Sequence, residues 1–229
     1  MATVGLVGGL GPESTIDYYR RIIEAWQRDD PSSAPSIVID SLDLQRGIRL
    51  VESDRKALIE YLLGSLQRLA GAGADFIAMT ANTPHVVFDE LDVHSPVPLV
   101  SIVDTCAQEA QRLRLTRLAL LGTRFTMEGT FYPAVFERYG MEIVVPTKEE
   151  RDWVHDRYMN ELLKGRFREE VRGDVIALIA RLRDEEGIDG VVLGGTELTL
   201  LLSAPVIADV PALDTTALHV AAIVKRLQE

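Results

Sequence analysis

The sequence predicts an α/β protein made of two similar units, and two observations support this prediction. Short apolar runs alternate with longer amphipathic segments, which is the pattern of parallel sheets covered by helices. The same strand-end motifs also occur twice, once in each half of the chain. No low-complexity segment or long linker interrupts the alternation, so we expect two α/β halves of about equal length.

Seven apolar runs are the predicted strands. They cover residues 3–7, 36–39, 76–79, 99–102, 118–121, 143–145 and 190–193. Segments such as "RKALIEYLLGSLQRLAGAG" and "GDVIALIARLRDEEG" have helical periodicity and lie between these runs. We expect the first domain to contain residues 1–102 and 212–229, and the second to contain residues 103–211.

Two motif pairs give the repeat. The stretch "GLVGGLGPESTIDYY" corresponds to "ALLGTRFTMEGTFY", and "ADFIAMTANT" corresponds to "IDGVVLGGTE". Three pairs of residues are each 114 positions apart: Gly8 and Gly122, Asp75 and Asp189, and Ala81 and Gly195. Because ligands of α/β proteins bind at the carboxyl ends of parallel strands, we expect these loops to line a ligand cleft between the two units.

The composition is that of a globular protein, with 229 residues, 47% hydrophobic and 26% charged. The formal net charge of −11 disfavours binding to nucleic acid or to anionic membranes. No apolar run has the length of a membrane span and the N-terminus lacks a basic signal-peptide start, so we expect a cytoplasmic protein. The single cysteine, Cys106, lies in a helical pattern and is expected to be a buried side chain.

A glycine-containing loop follows the first strand of each half. In "GGLGPEST", Gly9 allows a tight turn, and Ser14 or Thr15 can cap the following helix, with or without binding a carboxylate. This stretch lacks the third glycine of a dinucleotide fingerprint and the lysine of a P-loop. In "GTRFTMEGTFY", Thr123 and Thr126 offer hydroxyl groups, either to cap a helix or to contact a ligand.

The loop "TANTPH" follows the third strand and contains most of the polar candidates of the first half. Thr80, Asn82 and Thr83 suit a ligand that has a carboxylate and an amine. His85 can be an acid or base, or it can cap or pack under the turn. Thr80 and Thr83 are candidate proton relays only, because an aliphatic hydroxyl is a poor base without an activating neighbour.

The loop "GGTEL" is the counterpart of "TANTPH" and contains Thr196 and Glu197. A desolvated glutamate can be a base, can bind an ammonium group, or can pair structurally. The segment "HDRYMNELLKGRF" predicts an amphipathic helix, in which Lys164 can bind an anion or complement the helix dipole. Asp214 or Thr215 is the expected cap of the last helix, and no metal-ligand cluster is apparent.

Taken in order, these motifs resemble the aspartate/glutamate racemase family of cofactor-independent amino-acid racemases. The resemblance covers essentially the whole chain and rests on "VGLVGGLGPESTIDYY", "ADFIAMTANTPH", "LGTRFTMEGTFY", "DGVVLGGTEL" and "DTTALH". It implies two Rossmann-like domains related by pseudo-twofold symmetry, with the substrate between them, and a homodimer. It also implies proton exchange between two cysteines on opposite faces of the substrate's α-carbon, with no pyridoxal phosphate or metal.

Both of the family's cysteine positions lack a thiol in this sequence. Ala81 stands where the family has a Cys-Asn-Thr pattern, and Gly195 stands where it has Gly-Cys-Thr-Glu. Cys106 belongs to neither motif. At matching positions the resemblance implies ligand-binding roles for Asn82, Thr83, Thr123 and Thr196, and a contact of Lys164 with a distal carboxylate.

Three hypotheses for function follow. The first is an enzyme of the racemase family that moves a proton at the carbon of a small amino acid or carboxylate, with Glu197, His85 and Thr80 as candidate catalytic residues. The second is another cofactor-free carbon-acid reaction, such as decarboxylation, elimination or isomerisation. The third is a non-catalytic binder of an amino acid or dicarboxylate. The substrate-binding candidates are Gly9, Ser14, Asn82, Thr83, Thr123, Thr126, Lys164 and Thr196.

Overall fold

The computed structural model describes residues 2–229, and the contacts divide the chain into two units. Unit 1 contains the residues up to Ile102 together with His219–Glu229, and unit 2 is Val103–Leu218. The sequence-based boundary at residue 212 falls inside the strand Val210–Asp214. This strand pairs with the central strand of the second sheet, so it belongs to unit 2.

Unit 1 contains a four-stranded parallel sheet with the strand order β2-β1-β3-β4. Its strands are β1 Thr3–Gly8, β2 Ser36–Ser41, β3 Phe76–Met79 and β4 Leu99–Val100. Its helices are α1 Pro12–Asp29, α2 Leu44–Ser53, α3 Arg55–Gly71 and α4 Phe88–His94, and a 3₁₀ turn spans Thr83–Val87.

Unit 2 contains a five-stranded sheet with the order β6-β5-β7-β9-β8, parallel except for the antiparallel pair β8–β9. Its strands are β5 Arg117–Gly122, β6 Glu142–Val144, β7 Gly190–Gly194, β8 Val206–Ile207 and β9 Val210–Asp214. Its helices are α5 Ile102–Arg112, α6 Arg124–Glu128, α7 Phe131–Arg138, α8 Lys148–Asn160, α9 Glu169–Glu186, α10 Thr196–Leu201 and the first turn of α11 Thr215–Leu227.

The two sheets repeat one register. Val4 pairs with Phe76 in unit 1, and Leu118 pairs with Gly190 in unit 2, which is the same pair displaced by 114 positions. The next three pairs along β1–β3 and β5–β7 keep this offset. The repeat predicted from the sequence is therefore a repeat of strand pairing, and it gives β3 and β7 equivalent carboxyl ends.

An aspartate at the start of each of these strands makes the equivalent contact in both units. The Asp75 carboxylate accepts a hydrogen bond from the N–H of Thr3 at 2.7 Å. The Asp189 carboxylate accepts from the N–H groups of Thr116 at 2.8 Å and Arg117 at 3.0 Å. Each aspartate also donates its own N–H to the neighbouring strand at 2.8 Å. These contacts fix the start of the central strand beside its partner.

Each sheet is packed on its faces by helices, because alternate residues of a strand point to opposite sides. In unit 1, Val4 and Leu6 pack in one cluster with Ile22 of α1, whereas Val7 packs in another with Leu62 of α3. Unit 2 has one large cluster between its sheet and the helices α8 and α9. None of the helices formed by residues 2–229 has the length and apolarity that crossing a membrane requires.

Two predicted elements end earlier than their patterns indicated. The predicted strand 99–102 stops at Val100, and Ile102 already begins α5. The helix predicted through "HDRYMNELLKGRF" stops at Asn160, and a separate 3₁₀ turn spans Leu162–Lys164. Gly165 has a φ of 69°, and this left-handed backbone ends the turn.

Replacing Asp189 with alanine is expected to lower the free energy of unfolding by roughly 1–2 kcal/mol, because three hydrogen bonds to Thr116 and Arg117 are lost. Urea unfolding measures this change. The control is Asp92→Ala, which removes an exposed carboxylate and is expected to change the free energy by less than about 0.5 kcal/mol. Equal effects of the two substitutions would contradict the role given to Asp189.

Candidate functional site

The candidate residues of unit 1 lie where β1 and β3 end. Gly9 follows β1 with a φ of 80°, and a β-carbon there would lie 2.2 Å from the Leu42 carbonyl oxygen. Glycine is therefore required at this turn. The N–H of Gly9 donates to Thr15 Oγ1 at 2.9 Å, so this group stabilises the turn within unit 1.

Ser14 and Thr15 have a different role from the helix cap that the sequence suggested. The N-cap residue of α1 is Gly11, which makes no side-chain cap hydrogen bond, and Pro12 is the first helical residue. Ser14 is buried and donates to the carbonyl oxygen of Thr80 at 2.6 Å. The hydroxyls of α1 thus join the start of this helix to the end of β3.

Thr80 is fixed by contacts within unit 1. Its hydroxyl donates to the Val7 carbonyl oxygen at 3.1 Å and lies 3.2 Å from Thr15 Oγ1. Thr80 is 1% exposed. These contacts favour a structural role for Thr80 at the junction of β1, β3 and α1.

The loop between β3 and the 3₁₀ turn contains Ala81, one of the two positions at which the family resemblance implies a cysteine. Ala81 is buried, Asn82 is the N-cap residue of the turn, and Thr83 is its first residue. The Thr83 side chain is partly exposed, whereas Asn82 is buried. The segment of residues 81–83 therefore combines a buried methyl group with two polar side chains.

Both ring nitrogens of His85 are engaged in unit 1. Nδ1 donates to the Ala81 carbonyl oxygen at 3.1 Å, and Nε2 accepts from the N–H of Ile102 at 3.3 Å. The ring also stacks on Phe88 with centroids 5.2 Å apart. Burial, and then the nearby His219, lower the pKa of His85 to about 3. The histidine is therefore neutral near pH 7, and its contacts favour a packing role.

His219 forms a second buried histidine network that the sequence did not single out. Tyr18 donates its hydroxyl to His219 Nδ1 at 2.9 Å, and His219 Nε2 donates to the Val100 carbonyl oxygen at 3.0 Å. Burial lowers the pKa of His219 to about 4. Its only sequence signal was its place in "DTTALH", the segment that was expected to contain the cap of the last helix. Asp214 is the cap, since its carboxylate accepts from the N–H of Ala217 at 2.8 Å.

The loop after β5 in unit 2 begins with Thr123. Thr123 is the N-cap residue of α6 and accepts from the N–H of Thr126 at 3.3 Å. The hydroxyls of Thr123 and Thr126 lie 3.2 Å apart, and both side chains are buried. The next residue, Arg124, donates its N–H to His155 Nδ1 at 3.1 Å. The capping expected from the sequence is present here.

A buried carboxylate with two hydroxyl donors lies just after the end of β7. Glu197 is 2% exposed, and its Oε2 accepts hydrogen bonds from the hydroxyl of Tyr158 and from the hydroxyl of Thr196 at 2.9 Å. The N–H of Glu197 donates in return to Tyr158 Oη at 3.4 Å. Burial, and then the charge of Glu197, raise the pKa of Tyr158 well above its usual value. Tyr158 is therefore a neutral donor to a carboxylate.

Sequence reasoning missed Tyr158, although the residue lies within the quoted segment "HDRYMNELLKGRF". Tyr158 packs in the core cluster of unit 2. Its hydroxyl contact comes from a residue 39 positions away, which a local pattern does not encode. Lys164 of the same segment is exposed at the end of the 3₁₀ turn and stays a predicted ligand contact.

Two further kinds of site can be assessed from the described residues. Cys106 is fully buried, and this burial raises the pKa of its thiol, so a thiolate is disfavoured there. Across residues 2–229, no group of three His, Cys, Asp or Glu side chains is placed so that it could hold a metal ion.

Comparisons with known proteins give one consistent relationship. The sequence model of the family described as Asp/Glu/Hydantoin racemase matches residues 7–223. An aspartate racemase homologue from Pyrococcus horikoshii is 33% identical, with a TM-score of 0.85 and 100% of both chains covered. The aspartate racemase of Picrophilus torridus is 18% identical, with a TM-score of 0.78 over 100% of this chain and 95% of that one, and shares the fold.

A curated relative matches over a shorter stretch. The broad specificity amino-acid racemase RacX of Bacillus subtilis is 28% identical over 148 residues. The match covers 62% of this chain and 63% of RacX. It therefore spans less than two thirds of that protein.

Replacing His85 with glutamine is expected to flatten the pH dependence of stability. Unfolded histidines titrate near pH 6.5, whereas burial lowers the pKa of His85 to about 3. The unfolded chain thus binds more protons, and the wild type loses stability as the pH falls from about 6.5 towards 4. Removing one such group lowers the slope of the free energy of unfolding against pH by up to about 1.4 kcal/mol per pH unit.

Urea unfolding at several pH values between 4 and 7.5 measures this slope. His94→Gln is the control, because His94 is exposed and its Nδ1 donates to the Glu90 carbonyl oxygen. The control is expected to keep the slope of the wild type. An unchanged slope in His85→Gln would show that His85 is accessible for protonation in the folded chain.

Proposed function

This chain belongs to the Asp/Glu/Hydantoin racemase family, and from that premise we propose that it binds a small amino acid or related carboxylate and transfers a proton at carbon without a thiol pair. The positions at which the family resemblance implies cysteines are Ala81 and Gly195. Cys106 is no substitute, because burial raises the pKa of its thiol. We assign the proton transfer to oxygen groups, because both ring nitrogens of His85 are engaged in hydrogen bonds.

The observation that carries this proposal is the buried carboxylate of Glu197 at the end of β7. It lies two residues after Gly195, and hydroxyl donors from Tyr158 and Thr196 hold its Oε2. A carboxylate held in a site sheltered from water is suited to general base catalysis. We assign to Glu197 the removal of the proton from the substrate's carbon.

Ligand-binding roles are assigned, in each unit by itself, to polar side chains at the strand ends. Asn82 and Thr83 follow β3, and Thr123 and Thr126 follow β5. The proposal gives Ser14, Thr80 and Gly9 supporting roles, because their polar groups bond to neighbouring residues of unit 1. A binding role for Lys164 and a homodimer are further proposals, which rest on the family resemblance. A cytoplasmic location is a proposal that rests on the sequence pattern.

The absence of a proton-carrying side chain at Ala81 has a stereochemical consequence. A base on one side of the substrate removes a proton and returns one to the same face. We therefore expect exchange of the α-proton with solvent to be faster than inversion. The same single base also suits a decarboxylation or elimination, which needs no second proton-transfer group. That reaction is the second candidate.

Incubation of the protein with each common amino acid in deuterated water tests the proposal. Proton NMR measures loss of the α-proton signal, and chiral chromatography measures inversion. Glu197→Gln keeps the size of the side chain and removes its basicity, so we expect an exchange rate at least about a hundredfold lower. Glu137→Gln, an exposed residue of α7, is the matched control and is expected to retain the wild-type rate.

The possible outcomes separate the candidates. Inversion as fast as exchange would contradict the one-base mechanism. Loss of a substrate with a change in mass would support the decarboxylation or elimination. A ligand that raises the melting temperature and is never converted or exchanged would replace the proposal with a non-catalytic binder.

A further inference from the structure

Gly195 is not required by its backbone conformation. Its φ of −154° and ψ of 123° are extended values that any residue can adopt. The loop could therefore accept a larger residue if space allowed. The reason for glycine must lie in what surrounds its α-carbon.

The ring of Tyr158 fills the space beside Gly195. A β-carbon built on Gly195 would lie 2.5 Å from Tyr158 Cε2, 2.8 Å from its Oη and 3.0 Å from its Cζ. Real β-carbons do not approach other heavy atoms so closely. Any side chain at position 195, a cysteine included, would therefore have to displace the phenol.

Tyr158 is not free to move aside. The residue is 4% exposed and packs in the core cluster of unit 2 together with Leu162 and Leu198. Its hydroxyl donates to Glu197 Oε2. Displacing the ring would lose this packing and would remove a donor from a buried carboxylate, which is costly.

We propose that Tyr158 takes the place of the side chain that Gly195 lacks, its ring excluding any β-carbon from position 195 and its hydroxyl positioning the Glu197 carboxylate for proton transfer. The role of the hydroxyl rests on the proposed function, whereas the role of the ring does not. Tyr158 is thus a positioning residue, and it determines which acid–base group the end of β7 can have. Together, Tyr158 and Gly195 are a matched pair.

The contacts explain why the hydroxyl suits this role. Tyr158 remains protonated near neutral pH, because burial and the charge of Glu197 raise its pKa. It therefore always offers a proton to Oε2, beside the hydroxyl of Thr196. Two donors on one oxygen restrict the rotation of the carboxylate and keep it in one orientation.

A double-mutant cycle tests the role of the ring. Gly195→Ala alone is expected to lower the melting temperature by roughly 2–12 °C, because it overpacks the site. In a Tyr158→Leu background, which removes the ring, Gly195→Ala is expected to have little effect. In a Tyr158→Phe background, which keeps the ring, it is expected to be as harmful as in the wild type.

Gly173→Ala is the matched control for this cycle. Gly173 lies within α9, and a β-carbon there would have no neighbour within 4 Å. Its substitution is expected to leave or raise the melting temperature in every background. If Tyr158→Leu gives no folded protein, Tyr158→Met serves the same purpose. The inference is overturned if Gly195→Ala is harmless in the wild type, or equally harmful with and without the ring.

The hydroxyl is tested by Tyr158→Phe in the deuterium-exchange assay. We expect kcat to fall about a hundredfold, while KM changes less than about twofold, since the ligand-binding loops are unchanged. Tyr139→Phe is the matched control, because Tyr139 also donates to a carboxylate of unit 2, that of Asp104 at 2.8 Å. Equal kcat values for the two variants would overturn the role of the hydroxyl.

Failure of the proposed function and failure of the role of the Tyr158 ring can be told apart. If the wild type exchanges no α-proton, the proposed function fails, and the role of the hydroxyl fails with it. The melting temperatures of the cycle do not depend on any activity. They support or overturn the role of the ring in either case.

Discussion

The parallel pairing of β1 with β3 and of β5 with β7, in one register, is the constraint on which the rest of the structure depends. It makes β3 end at Met79 and β7 end at Gly194, which are within one residue of equivalent points of their sheets. Except for Lys164, which lies in the 3₁₀ turn after α8, the candidate residues lie in segments that begin at one of these strand ends or beside it. The aspartates that precede β3 and β7 hold this register from the opposite end of each strand.

Around this common frame the two units use their buried polar groups differently. In unit 1 the loop after β3 is stabilised by two neutral histidines, His85 and His219, whose nitrogens bond to backbone groups and to Tyr18. In unit 2 the loop after β7 contains a buried carboxylate with two hydroxyl donors. Neutral histidines with engaged nitrogens mainly fix a conformation, whereas a buried carboxylate can also accept a proton. This difference is why the proposed chemistry lies in unit 2.

Membership of the racemase family is compatible with Ala81 and Gly195 at the two strand ends once the packing is considered. A fold that presents equivalent strand ends supports several kinds of carbon-acid chemistry, and the reaction depends on the side chains placed there. Gly195 is extended and could have any side chain as far as its backbone is concerned. The ring of Tyr158 occupies the space beside the α-carbon of Gly195, and the Tyr158 hydroxyl donates to Glu197, so the proposed site has hydrogen bonds of its own.

The sequence by itself determined the α/β class, the repeat at an offset of 114 positions, the family, and the lack of cysteine at positions 81 and 195. These features are local patterns or residue identities, so they can be seen without coordinates. Only the tertiary structure decided that Ser14 joins α1 to β3, that both nitrogens of His85 are occupied, and that Tyr158 lies against Gly195. Most of these contacts join residues from distant parts of the chain that the sheets bring together. The bond of His85 to Ala81 is local, and burial holds the His85 side chain in the rotamer that makes it. No periodicity or motif encodes such contacts, because they depend on how the strands pair and on which space the packed helices leave.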